Sequence, residues 1–452
     1  MLKRMIWASL AALLVFAAAA SAQENMPESA QAAVPDAPMV YDMKGCVQRG
    51  LEANPSIVAA RAALSGAEYE SYSTFTDMLP TTTTGYGYTH SDRHKSEGLG
   101  RRDAWAFKLN IHQPLFPGIS LLNAWQKGLL QEEQSAAQLS QAELNLIGQI
   151  QTAFLGLLKG RMNVKSAEDS LERLKSQLQV TTAFYEVGLK PRLDVLQAET
   201  DLASAEQELL VAQNQVATQH AQLNTLLNLP LEADVQYVGE LAEKPFGLDF
   251  KESLTRAYAN RPDLLIGEKS VAIARKDFNI TTSNLLPSVG ADLDYTKYGN
   301  GADLSDSANN WNVAARESWT AGVSMNYTLG ALGATQVLDT LKADQNVEQM
   351  QAQLETVKLN AGFEVKEALL NISDARDRIL VARKSVAAAT EAYRMALARY
   401  QAQVGTNTDV LDAQANVSSS EAQLIQAMAD YQNALSKLYI AMGQKNPGLE
   451  TE

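Results

Sequence analysis

Two hydrophobic periods alternate along the chain. In "WAFKLNIHQPLF" (105–116), Trp105, Phe107, Leu109 and Ile111 alternate with Ala106, Lys108, Asn110 and His112. A period of two defines a strand with two different faces. The pattern recurs at 319–328, where Trp319, Ala321, Val323, Met325 and Tyr327 alternate with Thr320, Gly322, Ser324, Asn326 and Thr328. Val289, Ala291, Leu293 and Tyr295 alternate with Gly290, Asp292, Asp294 and Thr296, and Tyr86 and Tyr88 with Gly85, Gly87 and Thr89. Strands are expected at about 81–90, 104–113, 288–297 and 318–328. The stretches between the strand pairs are rich in Ala, Gln, Leu and Glu, which favour helix. Leu122, Trp125, Leu129, Ala136, Leu139, Leu146, Ile150, Ala153 and Leu157 give one of them a seam near a heptad period, broken by Glu132 and Glu143. That spacing predicts coiled-coil-like packing.

The elements come in two matching sets. "ANPSIVAARAAL" (53–64) resembles "NRPDLLIGEKSV" (260–271), and "DMLPTTTTGYGY" (77–88) resembles "NLLPSVGADLDY" (284–295). "YEVGLKPRLDVLQAE" (185–199) resembles "YQAQVGTNTDVLDAQ" (400–414), and Trp105 pairs with Trp319. Each half predicts a short helix ending at an X-Pro step, then a helix of about 23 residues (56–78 or 263–285), a strand, a polar loop and a second strand. A very long helix follows (119–187 or 331–402), then a glycine-containing turn and a last helix (192–228 or 407–442). Residues 23–252 form the first repeat, 253–443 the second, and 444–452 a C-terminal tail. A helix of about 70 residues spans roughly 100 Å, and the two shorter helices of each half, stacked end to end, would nearly match it. Four helical columns are therefore expected, with segment 229–250 as a collar at mid-height.

Composition sharpens this picture at the N-terminus. Lys3 and Arg4 precede a short apolar run from Ile6 to Ala20, and Ala20-Ser21-Ala22 is a small-x-small cleavage site. Residues 1–22 read as a secretory signal. No other stretch is long and apolar enough for a membrane-spanning helix, so any crossing is expected to use strands. Strands of about 9–11 residues with an apolar face, a polar face and aromatic residues fit an outer-membrane barrel. Four strands cannot close one, because membrane barrels need at least about eight. The chain must then oligomerise through its strands, and the pattern alone leaves dimer, trimer and tetramer open. Cys46 is the only cysteine and is expected to be a small buried apolar side chain. The net charge of −14 argues against a nucleic-acid partner.

The duplicated Asn-Pro and Arg-Pro steps, the Leu-Pro entering each strand pair, "QPLF" (113–116) and "TDVLDAQ" (408–414) together resemble the TolC-like outer-membrane efflux protein family over the whole mature chain. The resemblance implies a mainly α fold with a membrane β-barrel. Three chains would build an α-barrel tunnel of long antiparallel helices under a twelve-stranded barrel. It implies an exit duct of a tripartite efflux pump or type I secretion system in the Gram-negative outer membrane, with the tunnel in the periplasm. The partners implied are a second and third copy of the chain, a periplasmic adaptor protein, an inner-membrane pump or ABC exporter, and outer-membrane lipid.

By that resemblance Asp194, Tyr400, Asp409 and Asp412 match the periplasmic gate. Asp409 and Asp412 are three apart near a helix start, where an acidic residue also serves the first turn, with Asn407 or Thr406 as cap. Gln403 stands where the family usually has glycine, although Gly188 is kept in the first half. Gly405 stands where some members carry an arginine that pairs with the first-half aspartate, which leaves Lys190 and Arg192 as latch candidates. The turns bearing Gly188, Gln403 and Gly405 are the expected adaptor-contact tips. Trp105, Phe107, Leu109, Ile111, Trp319, Val323, Met325 and Tyr327 are expected to face lipid, and Lys108, Asp292, Asp294 and Asn326 the lumen.

Enzyme chemistry is not expected. The four histidines are His90, His94, His112 and His220, and the i, i+4 pair His90 and His94 falls at a strand–loop junction rather than on a helix. No HExxH, P-loop or GxSxG motif occurs, so neither cofactor nor metal is expected. The alternative reading is a trimeric surface adhesin or structural coiled coil, which would not need two strand pairs or antiparallel long helices.

Overall fold

The computed structural model describes residues 39–90, 103–116, 119–243, 246–299, 302, 304 and 316–450. The signal-peptide reading of 1–22 and His94 lie outside these residues. Two units are distinguished. In the small one, β1 (Met39–Tyr41) pairs with β4 (Val235–Tyr237), whose last residue, Tyr237, belongs to the large one. All the other elements belong to the large unit.

The duplication is visible element by element. Helix α1 (Met43–Ala53) matches α5 (Phe250–Asn260), and α2 (Pro55–Thr76) matches α6 (Pro262–Ser283). The long helices are α3 (Ser120–Glu186) and α7 (Ala334–Gln401), of 67 and 68 residues. The last pair, α4 (Arg192–Leu226) and α8 (Asn407–Ala441), has 35 residues each. The X-Pro steps explain the joints. A residue before proline is pushed out of the helical region, while proline suits the first helical turn. Asn54 and Arg261 are both extended, ending one helix and starting the next. Each also donates to the end of its half's last helix: Asn54 Nδ2 to the Leu226 carbonyl at 2.9 Å, Arg261 Nη1 to the Ala441 carbonyl at 3.2 Å. Arg261 is further held by Asp263 and Glu364, each at 2.6 Å.

Helix α3 packs against α2 and α6 along its first part and against α4 and α8 along its second. Helix α7 likewise packs against α6 and then α8. The short helices thus follow one another along the long ones, as their lengths require. The densest core lies midway, where Leu144, Ile147, Ile150, Phe154, Leu155 and Leu157 of α3 meet Leu435 and Leu438 of α8, Val47 of α1 and Leu223 of α4, all buried. Segment 237–243 runs across this level. Tyr237 is buried beside Phe154, Arg161 donates to its carbonyl, Gln432 donates to that of Ala242, and Glu243 pairs with Arg383 at 3.1 Å.

The heptad seam read from sequence holds only in this middle third. Leu146, Ile150, Ala153 and Leu157 are buried, whereas Leu122, Leu129 and Ala136 are exposed. There α3 meets α6 through polar pairs: Lys127 with Asp277 at 2.7 Å, Gln126 with Lys276 at 2.6 Å, and Gln134 with Ser270 at 2.8 Å. The two glutamates that interrupt the seam have partners, Glu132 with Ser71 and Glu143 with Lys445.

Strands β2 (Thr81–His90), β3 (Asp103–Phe116), β5 (Ser288–Gly299) and β6 (Arg316–Asn326) form one antiparallel sheet in the order β2-β3-β5-β6. The second strand of the first half therefore pairs with the first strand of the second half. A bulge at Pro114/Phe116 ends the regular register at the helical side, where Gln113 Nε2 donates to the Met78 carbonyl at 3.1 Å. Among the described residues no helix is long and apolar enough to cross a membrane.

Candidate channel wall and helical tip

Register decides what each face of the sheet carries, because residues directly opposite in an antiparallel pair point the same way. Trp105 lies opposite Tyr88, Phe107 opposite Tyr86, Leu109 opposite Tyr295 and Ile111 opposite Leu293. Across β5, Tyr295 meets Trp319, Ala291 meets Val323 and Val289 meets Met325. One face is thus apolar and rich in aromatic rings across its middle from β2 to β6, while toward its loop end it carries Lys297, opposite Phe107, paired with Glu317 at 2.9 Å. In the isolated chain Trp319, Val323 and Met325 are 72%, 70% and 67% exposed, so no other described part of the chain covers them. Tyr327 follows the last paired residue of β6 and is also exposed.

The opposite face is polar and cross-linked between strands. Asn110 Nδ2 donates to Asp294 at 2.8 Å, and His112 Nδ1 lies 2.7 Å from Asp292 Oδ1. Ser324 donates to the other Asp292 oxygen at 3.4 Å. Lys108, opposite Thr296 and Gly85, belongs to this face, as does Asn326, opposite Ser288. Among the described residues the sheet has two edge strands, β2 and β6, with no further strand beside either.

The second cluster gathers where α3 turns into α4 and α7 into α8. Both long helices end in the same backbone motif. Leu189 N–H bonds to the Phe184 carbonyl and Gly188 N–H to that of Tyr185; Val404 and Gln403 repeat this with Arg399 and Tyr400. The motif needs a left-handed residue, which glycine supplies without strain. Gly188 has φ +75°, and Gln403 occupies the equivalent seat at φ +63°. The departure from glycine therefore changes the residue, not the turn.

Tyr400 is fully buried here, its ring 5.7 Å from that of Phe184 and its hydroxyl 3.3 Å from Thr181 Oγ1. Burial pushes its phenol up, and the charge of Asp194 adds to the shift. Lys190 reaches across from the first turn, its ammonium 4.9 Å from the centre of the Tyr400 ring and donating to the Gly405 carbonyl at 3.2 Å. A side chain at Gly405 would press on the Arg399–Tyr400 backbone, at 3.1–3.2 Å. Arg192 is exposed. Of the two cations singled out by sequence, Lys190 makes the cross-turn contact.

The three carboxylates play different parts. Asp409 forms a capping box with Thr406: the Thr406 hydroxyl accepts from Asp409 N–H at 3.2 Å, and the Thr406 N–H donates to Asp409 Oδ2 at 3.0 Å. That backbone donor holds its carboxyl below the usual range. Asp412 lies with Asp201, Leu193, Leu196 and Leu411 along a groove of about 440 Å³ between α4 and α8. Burial, then the charge of Asp412, pushes the Asp201 carboxyl up. Asp194 sits in the first turn of α4, where its carbonyl accepts from Asn407 Nδ2 at 3.1 Å.

Gln177 and Thr181 were not singled out by the sequence reading, and Asn407 was named only as an alternative cap to Thr406, which is the residue that caps the helix. Asn407 is buried, accepts from Gln177 at 2.7 Å and thereby joins α8 to α3 as well as to α4. Gln177 and Thr181, spaced i, i+4 at buried positions, were the available signal. No group of three or more metal-binding side chains occurs among the described residues.

The sequence profile of the outer membrane efflux protein family matches residues 46–229 and 254–444. The chain belongs to that family. Membership places it in the Gram-negative outer membrane, with its helical part in the periplasm. It is 25% identical over 309 residues to the toluene efflux pump outer membrane protein TtgC of Pseudomonas putida, a match covering 67% of this chain and 61% of that protein. It is 24% identical over 402 residues to the outer membrane protein TolC of Vibrio cholerae, covering 87% and 88%. The fold matches the crystal structure of the outer membrane protein VceC from Vibrio cholerae with a TM-score of 0.77, at 19% identity, over 89% of this chain and 96% of the other. The mostly helical architecture with its few strands is thus that of TolC-family channels, and the family is one of channel proteins.

Proposed function

We propose that three copies of the chain join through their strands into a twelve-stranded outer-membrane barrel above an α-barrel tunnel. The assembly serves as the exit duct of a tripartite efflux pump or type I secretion system. It is not an enzyme. The observation that carries this reading is the open sheet, with one exposed apolar face, one polar face and two edge strands. In lipid an unpaired edge leaves backbone donors and acceptors unsatisfied, and closure into a barrel removes that cost. Trp105, Phe107, Leu109, Ile111, Trp319, Val323, Met325 and Tyr327 then face lipid, and the Asp292–Asp294 face lines the lumen.

At the other end, Asp194, Tyr400, Asp409 and Asp412 stand at the periplasmic entrance. Lys190 is the latch: it bridges the two turns of one chain through Tyr400 and the Gly405 carbonyl. The turns at Gly188 and at Gln403 and Gly405 form the tips that meet a periplasmic adaptor, which links the duct to an inner-membrane pump or ABC exporter. Residues 23–252 and 253–443 act as two repeats of one duct-forming unit. The relative named as part of a toluene efflux pump supports this assembly. Purified protein reconstituted into planar bilayers should give discrete single-channel currents. Insertion without conductance would favour an adhesin or structural role instead.

A further inference from the structure

We propose that the seam between neighbouring copies in the helical tunnel repeats, in register, the seam between the two repeats of one chain; this rests on the trimeric duct reading above. Helix α7 of one copy takes the place of α3, and α2 and α4 of the next take the places of α6 and α8. Within one chain the helices pack in the row α2-α3-α6-α7 on the strand side and α4-α3-α8-α7 on the tip side. The ends of the row are α2 with α4, and α7. They continue the two edge strands, since α2 leads into β2 and β6 leads into α7.

The duplication shows what α7 lacks. At the spacing that relates Gly188 to Gln403, Leu146, Ile150, Ala153 and Leu157 of α3 fall on Ala361, Val365, Ala368 and Ile372 of α7, and all of them are buried. The neighbouring face does not carry over. Leu144, Gly148, Gln151 and Leu155 lie three or four apart and share one face of α3. Helix α8 covers it: Ser436 donates to Gln151, and a Cβ on Gly148 would lie 2.5 Å from Ile440 Cδ1. Leu144 and Leu155 are 2% and 1% exposed, whereas their counterparts Leu359 and Leu370 are 68% and 57% exposed. Phe363, the counterpart of Gly148, lies between them and is exposed as well. The same helix face is filled inside the chain and bare at its end.

The other end of the row carries complementary residues. Where α3 meets α6, Asn279 donates to Asn123 and Lys276 to Gln126. The corresponding positions are Leu338 and Leu341 on α7 and, at the spacing of Pro262 to Pro55, Tyr72 and Tyr69 on α2, all exposed in the single chain. Lys127 pairs with Asp277 at 2.7 Å, and the corresponding residues, Lys342 and Glu70, keep the charges in the same sense. Gly148 faces Ile440, and the corresponding residues are Phe363 and Thr225, with the bulk moved from one helix to the other. Leu338 and Leu341 therefore meet the partner subunit's Tyr72 and Tyr69, Lys342 the partner subunit's Glu70, and Phe363 the partner subunit's Thr225. The change of chemistry has a physical reason. One chain tethers its two repeats, so a polar seam suffices between them. Separate copies give up translational and rotational freedom, so their seam needs buried apolar and aromatic surface. The contact joins two different surfaces head to tail, the kind that generates rings.

Crosslinking the full-length protein in outer-membrane vesicles with a short bis-thiol reagent tests the register. Glu70→Cys with Lys342→Cys should give a covalent ladder that ends at the trimer. Ala63→Cys with Gln349→Cys, the counterparts of Ser270 and Gln134, should do the same. Glu70→Cys with Gln349→Cys, shifted by roughly 10 Å along α7, should give about fivefold less. Matched pairs that crosslink no better than the shifted one, or that bridge within one chain, overturn the proposal. A second readout needs no cysteine. Tyr69→Ala with Tyr72→Ala should lower the trimer fraction of diluted, detergent-solubilised protein about tenfold, while Asn123→Ala with Asn279→Ala should leave it unchanged. The reverse ranking overturns the proposal as well. Wild-type protein that light scattering finds as a dimer or tetramer overturns the trimeric reading. A trimer that crosslinks only through the shifted pair leaves that reading standing and sinks the register alone.

Discussion

At the scale of single residues, the tip shows how one carboxylate can serve a helix cap while its neighbour lines a groove. Asp409 and Asp412 share the first turns of α8, yet Asp409 is engaged with Thr406 and Asp412 lies along the groove with Asp201. A carboxyl held below its unfolded value of about 3.9 contributes stability that is present above that value and lost as pH falls through the lower folded one. Asp409→Asn should therefore speed amide hydrogen exchange in the first turn of α8 at neutral pH. It should also flatten the acid dependence of that exchange. The latch gives a second expectation. Removing a charged donor and a cation–π contact costs on the order of 1 kcal/mol at a part-exposed site. Lys190→Ala should raise basal single-channel conductance, whereas Arg192→Ala should leave it unchanged. The reverse ranking would move the latch to Arg192.

At the scale of elements, the strands and joints were legible in the sequence because their physics is local. Alternation fixed which residues of β3 and β6 share a face, and the X-Pro steps fixed where α1 meets α2. The upper part of α3 was not legible in this way. Leu122 and Leu129 look like a heptad seam, but that stretch meets α6 through Lys127–Asp277 and Gln134–Ser270, pairs that only a partner helix reveals. The pairing of Asn407 with Gln177 stayed hidden for the same reason, since the two lie 230 residues apart in the chain. For the sheet, Val323→Arg should destabilise the folded barrel by about 2–4 kcal/mol near the bilayer midplane, and Asn326→Arg far less. Refolding titrations into lipid vesicles measure both. Equal tolerance at the two positions would contradict the facing of β6.

At the scale of the whole molecule, the account requires each chain to be incomplete alone. Its exposed apolar sheet face and two edge strands are features a solitary chain cannot keep in a membrane. The tip should be separable from that assembly. Gly188 has open space around its Cα but a left-handed backbone, so Gly188→Trp strains the turn and adds bulk at the tip. It should leave oligomer and insertion intact while abolishing crosslinking to the adaptor. The central claim, closure by three chains, is tested most directly by a cysteine scan of the two edges, pairing positions from 81 to 89 of β2 with positions from 318 to 326 of β6. Native Cys46 should not interfere, because burial pushes its thiol up to about 12. The expected result is that matched edge pairs oxidise to a covalent trimer as the terminal species. A terminal dimer or tetramer, an open ladder, or bridging of β2 to β6 within one chain would contradict it.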